Sequence, residues 1–253
     1  MLKNKLLVAA LASSFALPAL AETSPFSSNV TLTTNYLYRG ISQTGAKPAV
    51  QGGFDYANAN GLYIGAWGSS ISWLGDAGVA KNAGLELDTY AGYKGAAGAV
   101  SYDVGFLRYN YPGDYAVGAT KADTNEIYGA VTYSIVTAKY SYSLGDTFGV
   151  PDAKGTSYLE VNASYAIPDT SFTLGAHYGK QTYKGSSAKY QAAIVSGDPT
   201  YSDYRLSVTK DLGTGYSASL TYSKTNAVKG GFYTINGKDL GKGTAVVALS
   251  RTF

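Results

Sequence analysis

YSASLTYS, residues 216–223, sets Tyr216, Ala218, Leu220 and Tyr222 on one side of an extended chain and Ser217, Ser219, Thr221 and Ser223 on the other. Side chains along a β-strand point alternately to opposite faces, so this strict period of two reads as a strand between an apolar and a polar medium. Eleven other segments carry the same pattern, making twelve. The first runs through Val30, Leu32, Thr34, Tyr36 and Tyr38 against Thr31, Thr33, Asn35 and Arg39. The second sets Val50, Phe54 and Tyr56 against Gln51 and Asp55. The third, around 62–68, is ambiguous, because Leu62, Ile64 and Ala66 compete with Tyr63 and Trp67 for the apolar face. In the next seven, Glu86, Asp88, Lys94, Asp103, Glu126, Lys139, Glu160, His177 and Arg205 fall on the polar parity. The last runs from Thr244 to Phe253, with Ala245, Val247 and Leu249 on the parity of the terminal Phe253 and Arg251 departing from it.

The connectors carry a second signal. They alternate long and short along the chain: 41–49, 69–83, 112–123, 145–155, 180–201 and 224–242 are long, whereas 57–61, 95–98, 135–138, 166–170 and 212–215 are short and mostly hold Asn, Gly or Pro-Asp turn residues. Proline cannot sit within a sheet, and none of the seven interrupts a segment. The weakest assignments are the third strand and the connector 180–201, so ten or fourteen strands are the alternatives to twelve.

Composition narrows the class further. With Gly 31, Tyr 24 and Cys 0, the chain is poor in helix formers and has neither disulfides nor thiolate metal sites, and a single His rules out multi-His metal chemistry. Met1 to Lys5 is basic, Leu6 to Leu20 is apolar, and Ala19-Leu20-Ala21 closes the run with the small-x-small pattern of a signal peptidase site. The expected organisation is a secretory signal peptide over 1–21, cleaved after Ala21, and a single barrel domain over 22–253. Cleavage takes Lys plus Arg from 20 to 18 against 17 Asp plus Glu, leaving a net charge of +1. So small a charge gives no general electrostatic reason to bind nucleic acid.

A soluble sandwich alternates too, but three features favour an antiparallel up-and-down transmembrane β-barrel with both termini periplasmic. Long connectors on one rim and tight turns on the other are the asymmetry of outer-membrane barrels, and twelve is the even number they require. Aromatic residues flank the tight turns on the apolar parity: Tyr56, Tyr93, Tyr102, Tyr133, Tyr140, Tyr165, Phe172, Tyr216 and Phe253 make a lower girdle at headgroup level. Trp67 and Trp73 are expected in the upper girdle. The alternating strand that ends at Phe253 is the kind of signal read by the barrel-assembly machinery, and outer-membrane lipid is the expected surroundings.

The stretches NVTLTTNYLYRGISQTGAKPAVQGGFDYANANGLYIGAWGSS (29–70), ELDTYAGYKG (86–95), DVGFLRYNYPG (103–113) and NEIYGAVTYS (125–134) resemble the TorF-like porin family, formerly catalogued as Gcw_chp proteins. The likeness covers essentially the whole mature chain and is more specific in its N-terminal half. It implies a proteobacterial outer-membrane barrel. The family is named for a presumed activity, so the resemblance supplies no substrate.

The leading functional expectation is a narrow channel for passive diffusion of small polar solutes or ions. Twelve strands about 4.8 Å apart and tilted about 40° give a backbone radius of roughly 12 Å, which inward side chains reduce to a narrow passage. Parity lines that passage with Arg39, Asp55, Glu86, Asp88, Lys94, Asp103, Glu126, Lys139, Glu160, His177 and Arg205, either as a selectivity ring or as cross-strand salt bridges that brace it shut. Six acids against four bases suggest at most a weak cation preference. Strict alternation sends Arg108 to lipid unless it lies at the rim or a bulge turns it inward. The rivals are a closed barrel acting as a receptor or structural protein through its long loops and, more remotely, an outer-membrane hydrolase built on His177. Since Gly175 and Gly179 flank His177 on its face, its own strand supplies neither a nucleophile nor an orienting group. No nucleotide loop, plug domain or EF-hand is present, so neither a cofactor nor a metal is expected.

Overall fold

A computed structural model describes residues 24–194 and 198–253. The expected signal peptide and its cleavage site lie outside the described residues. Twelve antiparallel strands close into one barrel: β1 (Phe26–Thr33), β2 (Ala49–Ala57), β3 (Leu62–Ser70), β4 (Leu85–Ala97), β5 (Val100–Asn110), β6 (Thr124–Tyr133), β7 (Val136–Ser143), β8 (Ser157–Ala166), β9 (Phe172–Thr182), β10 (Tyr201–Gly213), β11 (Tyr216–Thr225) and β12 (Thr244–Thr252). Each strand pairs with its sequence neighbours, and β1 closes the ring by pairing with both β2 and β12, where Leu32 faces Val50 on one side and Leu249 on the other. Closure leaves no strand edge unpaired, which a hydrocarbon environment demands.

Both ends of the described chain lie on the rim of the five tight turns, the periplasmic rim by the outer-membrane rule. Two-residue turns such as 134–135 and 214–215 need left-handed backbone to match the strand twist, and Ser134 (φ 54°), Thr214 (φ 51°) and Gly215 (φ 82°) supply it. The six long connectors crowd the opposite rim. They carry two short helices, α1 (Trp73–Asp76) and α2 (Ser186–Ile194).

The apolar parity faces outward. Leu32 is 55% exposed, Ile64 59% and Leu206 65%, an arrangement stable only against lipid. In β3, Leu62, Ile64 and Ala66 take this face and Tyr63 and Trp67 turn inward, which settles the ambiguous segment. The girdle residues Tyr56, Tyr93, Tyr133, Tyr140, Tyr165, Phe172, Tyr216 and Phe253 are exposed at the lower rim, with Tyr102 half-buried against Tyr93. Phe26 and Phe54 join them, stacked at 5.5 Å. Arg251 lies over the rings of Phe253 (4.4 Å) and Tyr216 (4.8 Å), so a cation that breaks the apolar parity is held by aromatic faces at the interface.

Inside, tyrosine and glycine interlock. Tyr63 stands opposite Gly92, Tyr90 opposite Gly65 and Tyr128 opposite Gly105 in adjacent strands. A Cβ on any of these glycines would come within 3 Å of the facing phenol, so each ring lies in the notch left by a missing side chain.

Two expectations need correction. The first strand does not continue to Arg39; it ends at Thr33, and Arg39 reaches the lumen from a connector. Tyr36, Leu37 and Tyr38 are three large residues in a row, so they cannot divide between lipid and water and instead fold inward together. Trp67 and Trp73 are not upper-girdle residues either. Trp67 packs on Tyr36 inside the barrel at 5.6 Å, and Trp73 on α1 packs on Tyr111 at 5.7 Å. Arg108 takes the first of its two alternatives: it sits on the outer face at the upper rim, tied to Asp123 (3.1 Å) and Asn110 (2.6 Å).

Candidate pore constriction

Residues 34–48 enter the barrel from the upper rim. Leu37–Tyr38 pairs with Ile41–Ser42 as a small hairpin whose tip is Arg39-Gly40, both left-handed (φ 45° and 78°). Glycine is required at position 40: a Cβ there would meet Cβ of Asp203 and Cγ2 of Thr225 at 2.7 Å, so the tip rests directly on the β10–β11 wall. The base of the hairpin is tied down by its own polar groups. Ser42 Oγ donates to Asn35 Oδ1 (2.7 Å), and Thr44 Oγ1 donates to the Lys47 carbonyl (2.6 Å).

From that tip Arg39 crosses the lumen. Its guanidinium donates from Nη1 to Glu126 Oε1 (3.0 Å), from Nη2 to Glu126 Oε2 (2.7 Å), and again from Nη1 to Gln181 Oε1 (2.8 Å). It also lies over Tyr158 at 4.4 Å and Tyr38 at 4.9 Å, while Tyr201 donates to the Arg39 carbonyl (2.9 Å). Glu126 belongs to β6 and Gln181 to β9, on the side of the ring facing the β1–β2 origin of the hairpin. Arg39 and Glu126 are 4% and 1% exposed. A fork-to-fork pair, buried and satisfied on both sides, is the strong form of ion pair.

Two polar groups flank this tie. On one side Glu86 accepts from Tyr36 (2.9 Å), with Asp88 next to it on β4, and no cation pairs with either among the described residues. Burial, followed by the charges of Glu86 and Asp88, pushes the Tyr36 phenol well above its ordinary value, so it remains a donor. On the other side His177 Nε2 meets Asp203 Oδ1 (2.9 Å), Tyr158 donates to Asp203 Oδ2 (2.7 Å), and Asn162 and Arg205 reach His177 Nδ1. Glu160 lies 3.7 Å from the same nitrogen. Neighbouring strands thus supply the orienting carboxylate and the hydroxyl that β9 lacks. The imidazole is 0% exposed, and these contacts tie β8, β9 and β10 together.

The lower lumen is different. Asp55 accepts from Tyr90, Asp103 accepts from Tyr63 (2.6 Å), and Lys94 sits 3.7 Å from Asp103. Lys94 and Lys139 lie over the rings of Tyr63 (5.0 Å) and Tyr128 (4.3 Å). Opposite these tyrosines the wall is built of small hydroxyl residues, among them Ser207, Thr209, Ser219 and Thr221, all partly exposed to the lumen. All eleven residues expected on the polar parity therefore point inward, but they form separate clusters at two levels rather than one ring.

A family profile described as a bacterial protein of unknown function (Gcw_chp) matches residues 19–253. The chain belongs to the Gcw_chp family. No curated protein matches this Gcw_chp sequence. Among solved structures, a KdgM porin in complex with disordered oligogalacturonate aligns at a TM-score of 0.53 and 9% identity, covering 90% of this chain and 98% of that one. A structure from a study of the in-meso crystallization of membrane proteins aligns at 0.51 and 6%, covering 90% and 83%. The COG4313 outer membrane channel of Pseudomonas putida F1 aligns at 0.49 and 11%, covering 97% and 100%. At these identities the first two likenesses speak for the fold of the Gcw_chp barrel, that of outer-membrane β-barrels.

The central element that sequence reasoning missed is the hairpin. Its signal lies in YLYRG (36–40), where two-face alternation fails just before an Arg-Gly turn.

Proposed function

We propose that this barrel is a narrow outer-membrane channel for small polar solutes or ions, exported by the signal peptide 1–21, with the hairpin at 37–42 as its constriction. The observation that carries the reading is the gradient of exposure along the inward face. On β10, Asp203 and Arg205 are buried while Ser207 and Thr209 are partly exposed; on β11, Thr225 and Ser223 are buried while Thr221 and Ser219 are partly exposed. A hydroxyl-lined vestibule thus opens from the periplasmic side and stops at the hairpin. The Glu86, Asp88 and Glu126 side of the constriction carries three carboxylates to the single guanidinium of Arg39, which favours cations weakly. The strand ending at Phe253 serves as the assembly signal.

The Arg39–Glu126 tie favours a second reading, a barrel closed at rest that acts through its extracellular loops. Single-channel recording from the refolded mature chain in a planar bilayer under a salt gradient separates the two. Discrete steps from the native chain, enlarged by Arg39→Ala, fit the channel. Silence from heat-modifiable protein that persists in Arg39→Ala would overturn it in favour of the closed barrel.

A further inference from the structure

The upper rim is electrically lopsided. Connectors 183–200 and 226–243, which crown β9–β12, carry Lys184, Lys189, Lys229, Lys238 and Lys242 against Asp198 and Asp239. Connectors 71–84, 111–123 and 144–156 carry three lysines against five aspartates. The five lysines on the basic side are all exposed. Two more lie just below them, Lys180 on β9 and Lys224 on β11. Both are exposed and share parity with the outward Tyr178 and Tyr222, so they face lipid rather than lumen. Tyr204 stands directly opposite Lys224, its ring 5.4 Å from that of Tyr178. Among the described residues none of these seven lysines joins an ion pair, whereas Arg108 on the other side of the rim is neutralised by Asp123.

A lysine on the lipid face is costly at mid-depth and nearly free at the interface, where its stem lies along apolar surface and its ammonium meets headgroups. Tyrosines beneath it mark that level. Beside this patch, on the outward face of the β1–β2–β12 seam, Leu32, Val50, Val247 and Leu249 line an apolar groove of about 400 Å³, bounded above by Thr34 and Pro48. Val247 pairs with Leu220, four residues below Lys224 on the adjacent strand, and Lys242 lies two residues before the start of β12. The groove and the lysines thus share one side of the molecule, at the outer-leaflet end.

We propose that this face binds a phosphorylated glycolipid of the outer leaflet, one acyl chain lying in the seam groove and the phosphates held by Lys224, Lys242 and Lys180. The site is separate from the lumen and does not depend on whether the channel conducts. Each lysine near an anionic headgroup contributes about fivefold in affinity.

The test uses the refolded mature barrel in neutral detergent and three probes: bis-phosphorylated lipid A, the same lipid stripped of phosphate, and inorganic phosphate. Bound lipid is counted by native mass spectrometry. The expected result is at least tenfold preference for the phosphorylated lipid, lost in Lys180→Gln/Lys224→Gln/Lys242→Gln and kept when the same positions become Arg. The control Lys81→Gln/Lys121→Gln/Lys154→Gln on the acidic side should bind as the native chain does. Heat-modifiable mobility verifies the fold of each variant. Equal affinity for the two lipids, an equal loss in the control, or saturation by inorganic phosphate at the same affinity as by lipid would overturn the proposal.

Discussion

The two halves of this lumen are made from one set of strands and differ in nearly everything else. The upper half is packed: the hairpin rests on β10 and β11, Arg39 is buried in its tie to Glu126 and Gln181, and Tyr158 and His177 brace the wall behind it. The lower half is a vestibule in which Tyr63, Tyr90 and Tyr128 lie against one wall and small hydroxyl residues line the other. The cause is chain length between strands. A two-residue turn cannot reach the barrel axis, whereas a fifteen-residue connector such as 34–48 can. A barrel of this size is thus packed from its long-loop side, by a single local element.

The most direct way to break the contrast is to remove the hairpin. Replacing 36–42 with a short Gly-Ser linker should raise single-channel conductance severalfold while the barrel still shows heat-modifiable mobility. Unchanged conductance would mean that the narrowest point lies elsewhere. Arg39→Gln tests the tie alone. Leaving Glu126 buried without its partner costs about 3–5 kcal/mol, so the hairpin should undock and long openings appear. Arg39→Gln/Glu126→Gln should recover part of the lost thermal stability, because the stranded charge is gone.

Smaller effects belong to the lower half. Gly65→Ala forces the Tyr90 ring out of its notch, and overpacking of this kind costs about 1–3 kcal/mol. It should narrow the vestibule, lowering conductance together with the unfolding midpoint in urea. Asp55→Asn/Asp103→Asn should shift the reversal potential slightly away from cations and leave conductance nearly unchanged, because this level does not limit flow. The smallest change is expected from Tyr102→Ala in the lower girdle, at about 1 kcal/mol of unfolding free energy, with no change in current.

Most of the wall was legible in the sequence because lipid and water impose opposite demands on alternate residues. Segments such as 216–223 and the punctuation of Gly and Pro between them locate strands, rims and the inward set of charges. That legibility ends where the chain stops separating two media. Residues 36–38 read as a continuation of β1 because alternation carries no record of a chain turning into its own lumen. Trp67 was misplaced because an aromatic can serve either a girdle or a packed interior, and Trp73 because a short helix has no period-two pattern to follow. Parity also cannot choose partners. That Arg39 ties to Glu126, while Arg205 and Asp203 both turn to His177, depends on distances across the ring that no linear pattern encodes.

The tyrosines seated against Gly65, Gly92 and Gly105 have one more consequence. The bore has two adjustments. Adding a hairpin of strands changes it coarsely and requires a new barrel. Exchanging Gly65 for alanine changes it finely, because the added carbon meets only side-chain atoms of Tyr90 and Asp55 and pushes a ring toward the passage. Related chains can therefore differ in what they admit through a few such exchanges, with strand number, register and rim all preserved.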